Sequence, residues 1–380
     1  MDKKKILVTC TDVMLLQFLA KHVFYLRERG FEVDAACSDV EGHVGELKAL
    51  FLDKVKLTVI DCVRSPFSPK NLRGYRQLKK LVDENDYDLI WTNEPVMGML
   101  TRLAARKARK KGTKVIYVAH GFHFYKGAPL KMWLLFYPLE RFAARFTDKL
   151  ITINGEDFAL AQKRFKRCAP ERFNGIGIDT KKFARTGVDR SEKRKELGVP
   201  PDRFLFLSVG ELEKRKNHDT VIRAFAAADI ANSELLVCGV GTQKERLERL
   251  IEKRGVGDRV RLLGYRYDIR ELLETADAFV LGSYQEGLSV AIMEAMAMRS
   301  LCVVSRIRGN VDLIKEGNGI FFDPKSVSSV QDALVRASRQ TASFDDARTE
   351  NEQIIKEYDS EIILAKMART IVFLTRGDEE

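Results

Sequence analysis

The fold of this chain is decided by Ala278-Phe-Val-Leu281 and the segment that follows it, Ser283-Tyr-Gln-Glu286-Gly-Leu-Ser-Val-Ala-Ile-Met-Glu294. Four consecutive apolar residues predict a short buried strand, and the glycine-containing turn leads into a helix that begins near Ser289. The unpaired backbone N–H groups of the first helical turn then point back toward the end of the strand, which makes an anion-binding site. Glu286 lies in the turn, and Glu294 lies about one and a half turns into the helix.

Two glutamates at this spacing also occur by chance, because glutamate suits the positive end of a helix dipole. The neighbouring segments favour a binding site. Predicted strands at 204–210, 234–238 and 259–263 each end in or lead directly into glycine, and the first runs into a basic loop. Because the carboxyl ends of parallel strands meet at one edge of a sheet, we expect these loops and both glutamates to line one crevice.

This half of the chain resembles the nucleotide-sugar half of the family 4 glycosyltransferases, which are retaining enzymes with the GT-B fold. The resemblance rests on Gly210 with Lys216, Gly239-Val-Gly241, the segment 264–268, Ala276-Asp277 and the pair Glu286-x7-Glu294. It implies that Lys216 holds the diphosphate of the donor. It also implies that Glu286 contacts the transferred sugar and that Glu294 binds the ribose hydroxyls.

The fold class that the resemblance implies is α/β, with two Rossmann-like doubly wound domains facing an interdomain cleft. Repeated strand and helix segments through residues 4–174 agree with a mostly parallel sheet. Residues 1–183 are predicted to form the acceptor-side domain, with a helix at 356–380 packing back onto it. Residues 184–355 are predicted to form the domain that binds the nucleotide sugar.

The donor-binding residues implied by the resemblance surround the strand glycine, the basic loop and the start of the helix. They are Gly210, Lys214, Arg215, Lys216, Gly239, Gly241, Tyr265, Gly287, Leu288, Ser289 and Glu294. Many family members carry arginine directly after the strand glycine, where this chain has Glu211. Either Lys214 or Arg215 supplies the second positive charge, or the diphosphate is held differently.

In the first half of the chain, the most informative segment is Ala119-His-Gly-Phe-His-Phe-Tyr-Lys-Gly127. It follows a predicted strand, so His120 lies at the carboxyl edge of a sheet, where a histidine is more often structural than catalytic. The resemblance implies that His120 meets the donor sugar, and it makes His120 and Glu286 the predicted catalytic residues. The predicted acceptor-side residues are Thr11, Asp12, His123 and Lys126. The first turn lacks Gly-x-Gly-x-x-Gly, which argues against an NAD site.

The composition is that of a globular protein with two domains, 380 residues long and 31% charged. No apolar run approaches the roughly 20 residues that cross a bilayer, and the amino terminus enters a strand at once, so we expect no signal peptide and a cytoplasmic protein. The six scattered cysteines predict buried free thiols. Asp86-Tyr-Asp88 is similar to a metal-binding motif of another glycosyltransferase fold, but it merely leads into a strand, and we expect no metal.

A net charge of +11 favours phosphate-bearing partners. The aromatic and basic residues of segment 122–145 and the seven basic residues of segment 102–114 predict either an ordinary solvated surface or a contact with an anionic membrane. The second interpretation places the protein peripherally at the inner face of the plasma membrane.

The leading hypothesis is a metal-independent hexosyl- or N-acetylhexosaminyltransferase that acts with retention of configuration. Its donor is a nucleoside diphosphate sugar, UDP-sugar on family precedent, as a co-substrate with no further cofactor. Its acceptor is a hydroxyl of a lipid-linked saccharide in exopolysaccharide or capsule assembly. One alternative is a GT-B nucleotide-sugar 2-epimerase. The other is a nucleic-acid-binding protein, which charge alone suggests and which the absence of interleaved stacking aromatics disfavours.

Overall fold

The structure, a computed structural model, describes residues 3–40, 42–52 and 54–377, without the side chains at 341 and 342. The chain divides into two compact units. The first unit is Met1–Ile176 with Glu361–Glu380, and the second unit is Gly177–Ser360. The sequence placed the boundary at 183 and the start of the returning helix at 356; the last three residues of that predicted helix, 378–380, lie outside the described residues.

The first unit is built on a parallel sheet with strand order β3-β2-β1-β4-β5-β6-β7 over the residues described. These strands are β1 (Lys5–Cys10), β2 (Glu32–Cys37), β3 (Leu57–Val59), β4 (Leu89–Asn93), β5 (Lys114–Ala119), β6 (Lys149–Thr152) and β7 (Glu171–Arg172). Its first helices are α1 (Val13–Glu28), α2 (Val44–Phe51), α3 (Lys70–Asp83), α4 (Pro95–Ala104), α5 (Arg106–Lys110), α6 (Leu130–Ala143) and α7 (Gly155–Arg164). The central strands are buried on both faces, which is why they appear as continuous apolar runs.

The second unit repeats this plan with strand order β10-β9-β8-β11-β12-β13. The strands are β8 (Phe204–Val209), β9 (Ser233–Cys238), β10 (Val260–Gly264), β11 (Ala278–Leu281), β12 (Leu301–Ser305) and β13 (Ile320–Phe322). The helices are α8 (Arg190–Glu196), α9 (His218–Ala228), α10 (Lys244–Arg254), α11 (Ile269–Thr275), α12 (Val290–Ala297), α13 (Asn310–Leu313), α14 (Val327–Arg339) and α15 (Asp345–Ile355). Val221, Ile222 and Phe225 of α9 pack into its core, because their helical spacing places them on one face of the helix.

The last helix, α16 (Ser360–Arg376), contributes residues from 361 onward to the first unit. It buries an apolar face that includes Ile363, Leu364 and Ile371. Lys366 donates to the carbonyl of Arg172 at 2.7 Å, which joins this helix to the end of β7.

In both units the strand order reverses beside the first strand, and we call this place the switch point. The loops that follow the strands on either side of it leave the sheet in opposite directions. The first switch point lies between the carboxyl ends of β1 and β4, which pair in parallel through Thr9 and Thr92. The second switch point lies between the carboxyl ends of β8 and β11. Open α/β sheets bind ligands at such positions because the diverging loops leave a crevice there.

Helix α6 contains Pro138 in its interior and extends past it to Ala143. A proline removes one helical hydrogen bond and leaves the carbonyl four residues earlier, that of Leu134, without its partner. Leu134 and Pro138 both lie on the exposed side of the helix, where water can satisfy that carbonyl. The helix therefore continues at a lower cost than a buried proline would impose.

Arg102 was counted in a basic surface stretch, but its side chain is 1% exposed. It forms an ion pair with Glu140 of α6 at 2.9 Å and lies 3.9 Å above the centre of the Tyr117 ring. A buried guanidinium needs such partners to offset its desolvation. The residue therefore joins α4 to α6 and is not part of a basic face.

The predictions about the cysteines, the Asp86-Tyr-Asp88 segment and membrane-spanning helices can also be compared with the structure. All six cysteines are buried and free, as predicted. The carboxylate of Asp88 accepts from Lys4 Nζ at 2.9 Å and from the backbone of Lys5 at 2.8 Å, which uses it to anchor the start of β1. Within the described ranges, none of the helices is both long and apolar enough to cross a lipid bilayer.

Candidate active site

The second switch point is spanned by an ion pair between two predicted site residues. Lys216, after β8, places its Nζ 2.7 Å from Oε1 of Glu286, after β11. Ser283 donates to the same carboxylate oxygen at 2.7 Å. Lys216 and Glu286 are only 9% and 8% exposed, so this pair is largely removed from water. The structure thus brings together the residue predicted to bind the diphosphate and the residue predicted to contact the sugar.

The position of Lys216 follows from the backbone around it. Lys214–Lys216 forms one turn of 3₁₀ helix, and Asn217 ends it in the left-handed conformation with φ +56°. The Asn217 side chain donates to the carbonyls of Gly282 and Pro324, both at 2.9 Å, which ties this loop to the end of β11. Asparagine tolerates the left-handed region better than most residues, so this residue suits the turn.

Gly210 lies next to the Lys216 side chain. A Cβ at this position would lie 3.5 Å from the Cδ of Lys216, which is an ordinary van der Waals contact. The predicted donor-binding residues Gly210 and Lys216 are therefore neighbours at the end of β8.

Glu211, which stands where many family members carry arginine, forms an ion pair with Arg215. Arg215 donates to the Glu211 carboxylate at 2.5 Å and lies 3.7 Å from Glu286, with its own side chain about half exposed. Lys214 is exposed, and among the described residues it has no ion-pair partner. Of the two cations predicted to supply a second charge, Arg215 is the one that lies beside the ion pair of the switch point.

The glycines after β9 are required by a close approach of two loops. A Cβ on Gly239 would lie 1.9 Å from the carbonyl oxygen of Gly210, and a Cβ on Gly241 would lie 2.6 Å from that of Leu212. Neither space is compatible with a side chain. These predicted donor-binding glycines therefore pack the loop after β9 against the loop that carries Lys216.

Helix α12 begins at the predicted place. Ser289 is its N-cap and accepts from the backbone N–H of Ile292, and Leu288 before it is buried. The turn at Gly287 is contacted from the other side by Gly309, where a Cβ would lie 2.5 Å from the Gly287 carbonyl. Tyr265, by contrast, is 65% exposed and packs edge-on against Tyr267 at 4.9 Å between ring centres.

Glu294 lies in the second turn of α12 with partial access to solvent. Burial raises the pKa of its carboxyl from 4.5 to about 7, and the positive charge of Lys182 opposes this shift. In the part of the chain that the structure describes, its carboxylate has no hydrogen-bond or ion-pair partner, so neither Glu286 nor Lys216 contacts it. Its oxygens are therefore available to a ligand.

His120 lies at the end of β5, as predicted. Its Nε2 is 3.0 Å from Oδ1 of Asn93, and Asn93 in turn donates to the carbonyl of Thr9 at 3.2 Å. Enclosure of the imidazole lowers the pKa of His120 to about 4. The ring is therefore neutral at physiological pH, and Asn93 orients it.

The rest of the histidine segment is held by α6 and α7. The Phe122 backbone N–H donates to Asp157 at 2.9 Å, and that of Lys126 donates to Glu156 at 2.6 Å. His123 stacks on Phe136 of α6 at 4.3 Å. His123 and Lys126, predicted on the acceptor side, thus belong to the α6 and α7 side of the first unit, and the Lys126 side chain is exposed.

Thr11 and Asp12, the other predicted acceptor-side residues, lie at the first switch point. Thr11 is 1% exposed, so its side chain faces the interior. Asp12 caps α1 by accepting from the Met14 N–H at 2.9 Å, and it also pairs with Arg64. Both residues donate their backbone N–H groups to Glu94, which the sequence did not single out.

Sequence reasoning therefore found the charged residues of the second switch point but missed the residues that hold them. Ser283, Asn217, Asn93 and Glu94 each position a predicted residue or its backbone. Asn217 and Glu94 directly precede a helix and Asn93 is the last residue of a strand, and that position was the available signal.

Two family models match the chain. Residues 189–355 match the model described as Glycosyl transferases group 1, and residues 12–154 match the model described as Glycosyl transferase 4-like. The first match covers the second switch point, and the second match covers the first switch point and the histidine segment.

Known proteins resemble the chain over most of its length. EpsD of Bacillus subtilis (strain 168), whose name describes it as a glycosyltransferase, is 37% identical over 326 residues, which are 84% of this chain and 83% of that protein. The UDP-Gal:alpha-D-GlcNAc-diphosphoundecaprenol alpha-1,3-galactosyltransferase of Escherichia coli is 32% identical over 297 residues, 73% of this chain and 76% of that one. The crystal structure of Anabaena Alr3699/HepE with UDP and glucose superposes with a TM-score of 0.77 at 19% identity, covering 97% and 99% of the two chains. The predicted GT-B fold is confirmed by this likeness.

Proposed function

We propose, given that the chain belongs to the family 4 glycosyltransferases of the GT-B fold, that it transfers a sugar from a UDP-sugar to a hydroxyl of a lipid-linked saccharide with retention of configuration. The observation that carries this proposal is the buried group of Ser283, Glu286 and Lys216 at the start of α12. It combines a cation, a carboxylate and a helix amino terminus at one sheet edge.

Each part of that group suits one requirement of the transfer. The departing diphosphate carries negative charge, which Lys216, Arg215 and the first turn of α12 would stabilise. Glu286 accepts hydrogen bonds and suits the hydroxyls of the transferred sugar, while Glu294 suits those of a ribose. The neutral imidazole of His120 can donate or accept a hydrogen bond at physiological pH.

Lys216 can change partners when a donor binds. Its ammonium and the Glu286 carboxylate neutralise one another at 2.7 Å. A bound diphosphate would compete for the ammonium, and Glu286 would then be released toward the sugar. Binding of the phosphates and positioning of the sugar are thereby coupled through one ion pair.

The choice of donor and acceptor class is supported by the relatives. The name of the Escherichia coli protein states a UDP-sugar donor and a diphosphoundecaprenol-linked saccharide acceptor, and the Anabaena structure holds UDP. The direct experiment screens UDP-, GDP- and dTDP-sugars for thermal stabilisation. Active donors are then assayed for transfer to short-chain lipid analogues of N-acetylhexosaminyl diphosphates.

The expected result is stabilisation by UDP-sugars and formation of a lipid-linked product that keeps the anomeric configuration of the donor. Stabilisation by GDP-sugars alone would overturn the donor assignment. Interconversion of a UDP-sugar without acceptor, and no transfer with it, would instead favour the 2-epimerase.

A peripheral membrane contact is part of the proposal and is supported by the exposed side of α6. Leu130 and Leu134 of α6 are 72% and 70% exposed, and the exposed Arg141 and Arg145 follow near and just beyond the end of the helix. A neighbouring cavity of about 400 Å³ has six basic residues and no acidic one in its lining: Arg141, Arg145, Lys163, Arg164, Lys166 and Arg167. Exposed leucines beside clustered cations suit an anionic bilayer surface.

Sedimentation with vesicles tests this contact. The wild type is expected to bind vesicles containing phosphatidylglycerol but not vesicles of phosphatidylcholine alone. Arg141→Glu/Arg145→Glu should reduce binding by at least about tenfold, because each basic residue near the surface contributes about 1 kcal/mol. The matched control is Lys253→Glu/Arg254→Glu at the end of α10, and equal losses in both variants would contradict the assignment of this surface.

A further inference from the structure

Glu94 has a backbone conformation that residues other than glycine rarely adopt. Its φ is +64° and its ψ is 155°, in a region almost restricted to glycine. Other residues with positive φ, such as Leu52 and Asn217, lie in the ordinary left-handed helical region. Pro95 follows directly and favours the high ψ value, but it does not require the positive φ.

The strained backbone carries the Glu94 carboxylate across the first switch point to the start of α1. Its Oε2 accepts from the backbone N–H of Thr11 at 2.6 Å and from that of Asp12 at 3.1 Å. At the corresponding place in a nucleotide-binding doubly wound fold, N–H groups at the start of the first helix face a ligand phosphate. In this chain a side-chain carboxylate occupies that place.

The Glu94 carboxylate has no ion-pair partner among the described residues. Arg64, whose charge also acts on Glu94, pairs with Asp12. The other oxygen of Glu94, Oε1, has no hydrogen-bond donor among the described residues, and the side chain keeps partial access to solvent. Glu94 also follows Asn93, which holds the predicted catalytic His120 at 3.0 Å.

Glu94 uses Oε2 within the protein and leaves Oε1 at the sheet edge, where a hydroxyl of a ligand can reach it. Backbone strain of this kind persists where a ligand site requires it. A negative carboxylate disfavours phosphate but forms a strong, charge-assisted hydrogen bond with a hydroxyl donor.

We propose that Glu94 binds the acceptor: its Oε2 closes the first switch point to phosphate groups, and its Oε1 accepts a hydrogen bond from a hydroxyl of the saccharide. This inference rests on the proposed glycosyl transfer. It assigns the uncharged saccharide part of the acceptor to the first switch point, while recognition of the donor phosphates belongs to the second unit.

The first experiment measures kinetics of Glu94→Gln with the donor and the short-chain lipid acceptor of the screen above. The amide keeps the shape and the hydrogen bonds to Thr11 and Asp12 but loses the charge at Oε1. The acceptor KM should rise about tenfold, with the donor KM within twofold of wild type and an unchanged melting temperature. Glu84→Gln, at the exposed end of α3, is the control for loss of one negative charge and should match wild type.

An acceptor KM within twofold of wild type would overturn the acceptor-binding role, and so would an equal rise in both KM values. If the wild type transfers no sugar to any acceptor in the screen, the proposed function fails and this role fails with it.

The second experiment does not depend on activity. Glu94→Ala frees the N–H groups of Thr11 and Asp12, so inorganic phosphate should raise its melting temperature by several degrees more than it raises that of wild type, at constant ionic strength set with chloride. The rise in melting temperature of wild type and of Glu84→Gln measures phosphate binding at other sites, including Lys216. An identical response of all three proteins would overturn the closing role, whether or not transfer is observed.

Discussion

The two switch points have the same strand order, but their charged groups are arranged in opposite ways. At the second, the Lys216 ammonium, on the loop after β8, reaches across to the Glu286 carboxylate on the loop after β11. At the first, the Glu94 carboxylate, on the loop after β4, reaches across to backbone N–H groups of the loop after β1. The loop after the first strand therefore supplies a cation that suits phosphate in the second unit, whereas in the first unit its N–H groups are occupied by a carboxylate.

The two crevices also differ in how their loops are held in place. Glycines at 239 and 241 let the loop after β9 approach closely the loop that carries Lys216. The first unit has no comparable glycine pair after β1 and instead uses a strained glutamate. The absence of the glycine motif from the first turn and the presence of Glu94 are thus two aspects of one arrangement.

Breaking the ion pair of the second switch point should have the largest effect. Lys216→Ala removes the cation expected to stabilise the departing diphosphate, so kcat should fall by roughly 10²–10³-fold. It also leaves Glu286 largely buried with only Ser283 and the more distant Arg215, which should lower the free energy of unfolding by about 2 kcal/mol. Steady-state kinetics and denaturant unfolding measure the two effects.

A double variant separates stability from chemistry at this site. Lys216→Met/Glu286→Gln removes both charges, so most of the lost stability should return while activity stays low. Lys244→Ala, on the exposed face of α10, is the control for loss of a surface lysine. Normal turnover by Lys216→Ala would remove the basis of the comparison, since the second switch point would then need no cation.

The second prediction concerns Glu294, whose pKa burial raises from 4.5 to about 7. Between these two values the unfolded chain loses its proton before the folded one does. The free energy of unfolding should therefore fall as pH rises from about 4.5 to 7, and level off above 7. The shift corresponds to about 3 kcal/mol at most.

Glu294→Gln should remove this pH dependence and be more stable than wild type at pH 8. It should also bind UDP about tenfold more weakly, because a neutral amide replaces a charged acceptor. Unfolding curves at several pH values and calorimetric titration with UDP measure these effects, with Glu248→Gln on α10 as the control. A variant that is less stable than wild type at pH 8, with unchanged UDP binding, would show that Glu294 serves the fold and not the ligand.

The fold and the charged residues of the second unit could be predicted from the sequence, because both depend on local features. Buried parallel strands are continuous apolar runs, and the loops that follow them carry glycines where backbones approach closely, so both features are local. Lys216, Glu286 and the Ser289 cap all lie within segments of this kind. Their contact with one another required only that the strands be parallel.

The residues that were missed depend on features that are not local. Glu94 acquires its role from a positive φ and from the adjacency of β1 and β4, while Arg102 is buried only because Glu140 of α6 meets it. A count of basic residues therefore overestimated the surface charge of the first unit. The Glu-Pro pair at the end of β4 was visible in the sequence, but nothing local shows that its carboxylate turns back to α1.

The smallest effect should come from Glu211, which stands where many family members have arginine and which pairs with Arg215 at 2.5 Å. Glu211→Arg would release Arg215 from this pair and add a cation beside Lys216. Because Glu211 and Arg215 are both about half exposed, the gain should be modest: about threefold tighter UDP binding, declining as salt is raised. Glu248→Arg makes the same change of net charge on α10 and should leave UDP binding unchanged. Weaker binding by Glu211→Arg would mean that Glu211 orients Arg215 toward the phosphates, and the local pair would then be part of the cation arrangement that distinguishes the second switch point from the first.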